Sequence, residues 1–186
     1  MRAQALVWGA VTAGVVALLL GWGRPFDRPN TTQDSPYTEI EVVRYKGEPA
    51  PDFALPTVEG QTVTLSALRG QAVLLNFWAT WCPPCREEMP SIERLHQELK
   101  DQGLVILAVD VDESPKLVAK FMKDFRLTFP ALIDSGSRVS SQYGVGGLPT
   151  TILIDGRGRV VGAALGPRDW ASAAGRALIR SLLEQR

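Results

Sequence analysis

The sequence has few residues that can form a disulfide or offer sulfur and imidazole ligands to a metal, since only two cysteines and one histidine occur among its 186 residues. Cys82 and Cys85 stand three positions apart, so no disulfide can join distant parts of the chain. Closing so short a loop removes little entropy from the unfolded chain, and a purely stabilising disulfide is therefore a poor explanation for the pair. The sequence favours a chemical role for these two cysteines.

The chain also lacks an excess of either charge, because 20 basic and 20 acidic residues give a formal net charge of zero. A polyanion such as a nucleic acid is therefore not an expected partner. Apolar residues make up 45% of the chain and charged residues 22%, which argues against a disordered protein. The length suits one folded domain with a terminal segment left over.

The longest uncharged run covers residues 3–23 and matches the length of a helix that crosses a bilayer, about 20 residues. Trp8 and Trp22 lie towards its two ends, where indole rings favour the membrane interface. A cleaved signal peptide is the alternative interpretation, with Gly21 and Gly23 as the small residues at the cleavage site, but the run is long for such a peptide.

We predict three segments from this pattern. Residues 1–23 form a transmembrane anchor or, in the alternative, a signal peptide; residues 24–46, rich in Pro, Asn, Thr, Asp and Ser, form a tether; and residues 47–186 form the folded domain. The basic residues on the two flanks of the apolar run nearly balance. Because a single N-terminal segment usually delivers the domain that follows it across the membrane, we expect that domain in the periplasm or a similar extracytoplasmic space.

Short apolar runs alternate with helical patterns beyond residue 47, which predicts an α/β fold with parallel strands covered by helices. Residues 72–79 and 104–109 are apolar at nearly every position, as in central strands that are buried on both faces. Apolar residues recur between these strands at helical spacing: Met89, Ile92, Leu95 and Leu99. The result is a strand-helix-strand unit with both cysteines in its first turn. Later elements are predicted at 114–125 (helix), 131–133 (strand), 150–154 and 159–164 (a hairpin) and 170–183 (helix).

Four interpretations compete for the pair in Trp81-Cys82-Pro83-Pro84-Cys85: a redox dithiol, half of a zinc site, a metal-chaperone site, and an incidental pair of buried thiols. Structural zinc takes four ligands, and besides these two sulfurs the chain has one histidine. His96 lies about 16 Å along the same predicted helix from Cys85, too far to complete a site with the thiols, and we expect it to be exposed. The redox dithiol is the favoured interpretation.

The position of the pair explains its reactivity. At the start of a helix, unpaired N–H groups and the helix dipole stabilise a thiolate, so Cys82 is the expected nucleophile. Cys85, one turn further in, would resolve the mixed disulfide by attacking Cys82. Pro83 and Pro84 fit the first helical turn, but they remove N–H donors and should leave the thiol pKa less depressed than in linkers that keep those donors.

Glu88 follows Cys85 by three residues and so lies on the same side of the predicted helix. A carboxylate in that position can raise the pKa of nearby thiols and relay a proton. An ordinary solvated acid is the alternative, because Arg86 and Glu87 are adjacent and a charged face is expected on such a helix.

The segment from Asn76 to Cys85, NFWATWCPPC, resembles the active-site strand and turn of thioredoxin. Residues 147–151, GLPTT, are similar to the cis-proline loop of that family, which faces the Cys-x-x-Cys pair and guides the bound substrate chain. By this resemblance Pro149 takes the same role. The resemblance implies a thioredoxin fold, with a central mixed β-sheet flanked by helices, N-terminal extension strands and a central insertion.

A narrower resemblance covers residues 47–186. Ala50-Pro51-Asp52-Phe53 and the LSALRG segment at 65–70 are similar to the entry of the TlpA, ResA and CcmG (DsbE) group of membrane-anchored thiol-disulfide oxidoreductases. Glu88 matches an acidic position near the active site of ResA-like members. The group reduces protein disulfides outside the cytoplasm, commonly of apocytochrome c during cytochrome c maturation, with electrons from a membrane carrier of the CcdA or DsbD type. No cofactor is implied beyond the redox-active disulfide Cys82–Cys85.

One departure concerns Asn76, which stands where thioredoxin itself has a buried aspartate. Glu88 or water must then accept the proton. Peroxiredoxins share the Ala-Pro-Asp-Phe entry, but their reactive cysteine follows Pro-x-x-x-Thr-x-x-Cys, and Leu75 and Ala79 stand at the Pro and Thr positions here. A Sco-like copper chaperone has a Cys-x-x-x-Cys spacing and a distant histidine, features this sequence lacks. A peroxidase, a disulfide-donating oxidase and this copper chaperone are the alternatives to a reductase.

Overall fold

The computed structural model describes residues 36–111 and 113–185, and within them eight strands and five α-helices. The strands are β1 (Val43–Pro49), β2 (Ala54–Pro56), β3 (Thr62–Thr64), β4 (Ala72–Trp78), β5 (Leu104–Val111), β6 (Ala131–Asp134), β7 (Thr150–Ile154) and β8 (Arg159–Leu165). The helices are α1 (Pro36–Glu39), α2 (Pro83–Leu99), α3 (Pro115–Asp124), α4 (Arg138–Gln142) and α5 (Ala173–Leu183). Short 3₁₀ turns lie at Leu65–Leu68 and Lys100–Gln102.

Six strands form one mixed sheet in the order β1-β8-β7-β4-β5-β6, while β2 and β3 form a separate hairpin. β4, β5 and β6 run parallel, whereas β7 is antiparallel to β4, β8 to β7 and β1 to β8. β1 to β3 precede β4, where N-terminal extension strands were expected, and α3 and β6 lie between β5 and α4. The thioredoxin fold expected from the sequence is confirmed.

The side chains of β4 explain the layering, because successive residues of a strand point to opposite faces. All seven are buried. Leu74 and Trp78 pack in the core beneath α2, α3 and α5, whereas Leu75 and Phe77 belong to the core beneath the β2–β3 hairpin and α4. Asn76 shares the face of Leu74 and Trp78, so its amide is directed towards the helices.

The tether prediction is corrected at its C-terminal end. Residues 36–46, expected to belong to the tether, instead form α1 and the first part of β1, which pairs with β8 at the sheet edge. Ile40 and Val42 are buried in the main core. The remainder of the tether and the predicted anchor, residues 1–35, lie outside the described residues. Within the described ranges there is no helix of the length and apolar character that spanning a bilayer requires.

The last helix begins later than predicted, at Ala173 rather than at residue 170. Ser172 caps it by accepting a hydrogen bond from the Gly175 N–H at 3.1 Å. Trp170 therefore belongs to the loop between β8 and α5, where it is fully buried. In this position the Trp170 indole contacts Glu88 of α2, one turn after Cys85.

Candidate active site

Cys82 and Cys85 form a disulfide with an S–S distance of 2.08 Å where α2 begins. β4 ends at Trp78 and the chain turns through residues 79–81 into the helix. Cys82 is the N-cap residue, with extended backbone, and its Sγ accepts a hydrogen bond from the Cys85 N–H at 3.3 Å. The predicted juxtaposition of the pair with the start of a helix is therefore present, and a thiolate at Cys82 would sit at the positive end of the helix dipole.

Exposure differs along the turn. Cys85 is completely buried and Cys82 is 3% exposed, whereas Trp81 is 66% exposed beside them. Pro83 and Pro84 occupy the first two helical positions, so the donors they lack would have had no intrahelical acceptor. Of the two cysteines, only Cys82 keeps any exposed surface.

The turn is held by Glu113, which follows the end of β5 by two residues and which the sequence did not single out. Its Oε2 accepts from the Thr80 N–H and its Oε1 from the Thr80 hydroxyl, each at 2.6 Å. Burial raises the pKa of Glu113, but hydrogen bonding with the Asp110 side chain and with Thr80 outweighs burial, and the pKa lies below its ordinary value. An ionised Glu113 thus fixes the backbone two residues before Cys82. Its position just beyond a parallel strand, at the edge where β4 also ends, was the signal that could have identified it.

Pro149 lies at the same edge of the sheet. The Leu148–Pro149 peptide bond is cis, as the resemblance suggested. Thr150 pairs with Phe77 in the antiparallel register of β7 and β4, so Pro149 comes next to the end of β4 that leads to the cysteines. Its carbonyl accepts from the Gly166 N–H at 2.8 Å, which ties the loop to the end of β8.

Glu88 is not the solvated acid of the alternative interpretation, because it is only 3% exposed. The Asn76 amide donates to its Oε1 at 2.8 Å. The backbone N–H of Arg168 and the indole N–H of Trp170 donate to its Oε2 at 3.2 Å and 3.3 Å. The structure therefore joins a strand, the active-site helix and the loop before α5 at one carboxyl group.

Burial raises the pKa of Glu88 from 4.5 to about 7, against the three hydrogen bonds and the Arg168 charge, which lower it. A carboxyl group that titrates near neutral pH can both accept and release a proton under ordinary conditions. Glu88 follows Cys85 by three residues, one turn of α2.

Ser91 ties the same loop to α2. Its hydroxyl lies 2.8 Å from the backbone carbonyl of Glu88 and 3.2 Å from that of Arg168. The hydroxyl oxygen also accepts a hydrogen bond from the backbone N–H of Trp170 at 3.1 Å. An open cleft of about 370 Å³ lies alongside, between α2 and the loop. Its lining includes Glu88, Ser91 and Arg168. Arg168 and Trp170 belong to no recognisable sequence motif, so the sequence did not predict them as part of the site.

The expectation for His96 is corrected, since the residue is partly buried and its ring packs edge-on against Phe129 at 6.0 Å. Burial lowers the pKa of His96 below its ordinary value. Among residues 36–111 and 113–185, no three His, Cys, Asp or Glu side chains gather in a way that could hold a metal ion.

The sequence of this chain is similar to those of known thiol-disulfide oxidoreductases. Residues 46–163 match the AhpC/TSA family. The chain is 50% identical over 124 residues to thiol-disulfide oxidoreductase ResA of Geobacillus thermodenitrificans (strain NG80-2), which covers 67% of this chain and 71% of that protein. It is 43% identical over 120 residues to the ResA of Bacillus thuringiensis (strain Al Hakam), covering 64% of this chain and 69% of that protein.

A solved structure from Chlorobium tepidum, assigned as the thiol:disulfide interchange protein DsbE, has the same fold with a TM-score of 0.69. It is 35% identical, and the match covers 76% of this chain and 99% of that one. The similarity thus extends through the sheet and the helices that carry the cysteine pair.

Proposed function

This chain belongs to the AhpC/TSA family, as a thiol-disulfide oxidoreductase of the TlpA, ResA and CcmG group, and from that premise we propose that it reduces protein disulfides outside the cytoplasm. The observation that carries the proposal is the asymmetry of the cysteine pair. Cys82 is the N-cap residue of α2 beside exposed Trp81, whereas Cys85 is completely buried and lies one turn before Glu88.

The proposed cycle begins with the reduced pair. The Cys82 thiolate attacks one sulfur of a substrate disulfide, a mixed disulfide forms, and the other substrate sulfur leaves as a thiolate that takes up a proton. Cys85 then passes its proton to the Glu88 carboxylate and attacks the Cys82 sulfur. The second substrate thiolate is released and protonated. The substrate has gained two electrons and two protons, and Cys82–Cys85 has become the disulfide.

A protein chain is the proposed substrate because two large apolar side chains are exposed at the edge of the sheet that carries the disulfide. Trp81 and Leu165 are each 66% exposed. Leu165 pairs with Thr150, directly after cis-Pro149, so the apolar groups lie at the same edge of the sheet as the cysteine turn. Exposed aromatic and aliphatic side chains favour contact with a polypeptide. We assign Pro149 the role of guiding that chain, as in the proteins it resembles.

The proposed setting follows from the sequence and the resemblance. Residues 1–23 would anchor the chain in the membrane, with the domain in the periplasm or an equivalent space. There a thiol carrier of the CcdA or DsbD type would reduce Cys82–Cys85 again after each cycle. Apocytochrome c, whose haem-binding cysteines must be reduced before haem attachment, is the proposed substrate within this class.

The direction of electron flow is tested by the reduction potential. We would equilibrate the full-length chain in detergent with glutathione or dithiothreitol buffers and follow tryptophan fluorescence, since Trp78 and Trp81 lie close to the pair. A value near or below about −230 mV, in the range of thioredoxin and glutaredoxins, is expected. A value near about −120 mV, like that of DsbA, would identify a disulfide donor and overturn the proposal.

A further inference from the structure

The side chain of Arg168 connects the loop before α5 to the segment that precedes β1. Its Nε donates to the Ile40 carbonyl at 2.6 Å and its Nη2 to the Glu41 carbonyl at 3.2 Å. The Glu41 carboxylate lies 3.3 Å from the same Nη2, and the Pro167 carbonyl accepts from Nη1 at 2.8 Å. Only 16% of the Arg168 side chain is exposed. A planar guanidinium holds several acceptors in one fixed arrangement, so these contacts define the position of the residue.

The backbone of the same residue reaches the active site. The Arg168 N–H donates to Glu88 Oε2 at 3.2 Å, and the Arg168 carbonyl accepts from the Ser91 hydroxyl at 3.2 Å. Both partners are buried residues of α2. Arg168 therefore has its side chain on the N-terminal segment and its main chain on the helix that carries the cysteines.

We infer that Arg168 is a positioning residue for Glu88, because its side chain fixes residues 40–41 against the loop whose N–H binds the Glu88 carboxylate. The inference deepens the proposed function and rests on the proton-accepting role given there to Glu88. Hydrogen bonds to Ser91 and Glu88 hold the loop to α2, and the guanidinium adds its contacts with the Ile40 and Glu41 carbonyls on the other side. The segment that precedes β1, which was predicted to belong to the tether, is thereby linked to the active site.

The groups around Glu88 define what a change at Arg168 would do. From β4 the neutral Asn76 amide faces it, and from the loop the Trp170 indole N–H. The titratable and charged groups on α2 and the loop that lie near it are Cys85, Glu87, Arg94, Arg168 and Asp169. The N–H bond and the charge of Arg168 both favour the ionised carboxylate, so weakening either raises the pKa of Glu88.

Two substitutions separate the position of Arg168 from its charge. Arg168→Met removes the guanidinium contacts and the charge, whereas Arg168→Lys keeps the charge but lacks the planar fork. We would titrate the Glu88 carboxyl carbon by NMR in the full-length chain labelled at glutamate, with Glu88→Gln identifying the signal. In Arg168→Met we expect the Glu88 pKa to move upward by about one pH unit, and in Arg168→Lys by at least half of that shift.

Arg94→Met is the matched control. Arg94 lines the same cleft, but its side chain makes an exposed ion pair with Asp169 at 3.5 Å. The Glu88 titration should be unchanged in this variant. The inference is overturned if Arg168→Lys titrates like the wild type, if Arg94→Met shifts the titration as much as Arg168→Met, or if both Arg168 variants lower the melting temperature without moving the titration.

The titration does not depend on catalysis, so the two proposals can fail separately. A shifted Glu88 pKa without any change in the pH dependence of disulfide reduction would confirm Arg168 as a positioning residue and refute the proton-accepting role of Glu88. An unshifted pKa in the Arg168 variants, with a pH dependence of reduction that disappears in Glu88→Gln, would refute the inference about Arg168 alone.

Discussion

The side-chain amide of Asn76 donates a 2.8 Å hydrogen bond to Glu88, joining the central strand to the active-site helix. The same Nδ2 is 2.9 Å from the Thr151 hydroxyl on β7. At the Asn76 position thioredoxin has a buried aspartate, whereas here the strand carries an amide and the helix supplies the buried acid, Glu88, that the amide contacts. The strand therefore supplies a neutral donor that holds the carboxyl group of Glu88.

The first prediction concerns the pH dependence of catalysis. Glu88 must be ionised to accept the Cys85 proton, so the rate of substrate disulfide reduction should fall as the pH drops through about 7. Glu88→Gln should lower the rate above that pH by about tenfold or more and abolish this acidic limb. Glu87→Gln, an exposed neighbour on α2, is the control and should keep the limb. A limb that survives in Glu88→Gln would assign the titration to another group.

The second prediction concerns stability. Because the folded-state pKa of Glu88 is raised, its protonated form stabilises the fold below the unfolded value of 4.5, and this contribution disappears as the pH rises through about 7. The corresponding free energy is about 3 kcal/mol. Urea unfolding of the oxidised chain should therefore show the wild type losing about that much stability relative to Glu88→Gln between about pH 4 and pH 8. Parallel pH profiles of the two proteins would contradict the raised pKa.

A third prediction tests the second proline of the turn. Pro84 has no N–H to offer the Cys82 sulfur, so Pro84→His should restore a donor, lower the Cys82 pKa and make the disulfide more oxidising. Thiolate absorbance during a pH titration measures the first effect, and equilibration with glutathione the second. Pro90→Ala, an exposed proline further along α2, should leave both values unchanged. An unaltered Cys82 pKa in Pro84→His would show that the missing donor has no influence.

The fourth prediction concerns the two hydrogen bonds that Glu113 accepts from Thr80. Glu113→Ala leaves two donors of the turn without their acceptor and should reduce the free energy of unfolding by about 1.5 to 3 kcal/mol. Since the folded-state pKa of Glu113 is lowered, its stabilisation is present above the unfolded value and declines as the pH falls through the folded value. Urea unfolding at neutral and acidic pH measures both. Glu59→Ala, in an exposed turn, is the control. An equal loss of unfolding free energy in this variant would show that Glu113 has no specific stabilising role.

The fifth prediction distinguishes the roles of the two cysteines. Cys85→Ser lacks the resolving thiol and should accumulate a mixed disulfide through Cys82 when it meets a protein disulfide. Cys82→Ser should form much less of it, because Cys85 is fully buried. Non-reducing electrophoresis followed by mass mapping of the linked peptide reads out the result. A mixed disulfide through Cys85 would reverse the assigned roles.

Sequence reasoning located the elements that are buried on both sides or have a regular apolar face. β4, β5, β7 and α2 fall where their patterns predict, because burial leaves continuous or periodic apolar residues. It assigned the first part of β1 to the tether, because the side chains of β1 are exposed apart from a half-buried glycine. An edge strand of this kind is defined by backbone pairing with β8, and the sequence carries no apolar period for it.

The sequence by itself determined the chemistry of the pair: two cysteines at the start of a helix after a buried strand, with prolines between them and an acid one turn later. Only the tertiary structure decided the state of that acid. The donors to Glu88 come from residues 12, 80 and 82 positions away in the chain. Burial, which sets its pKa, is created when strand, helix and loop pack together, and no local pattern of residues records that event.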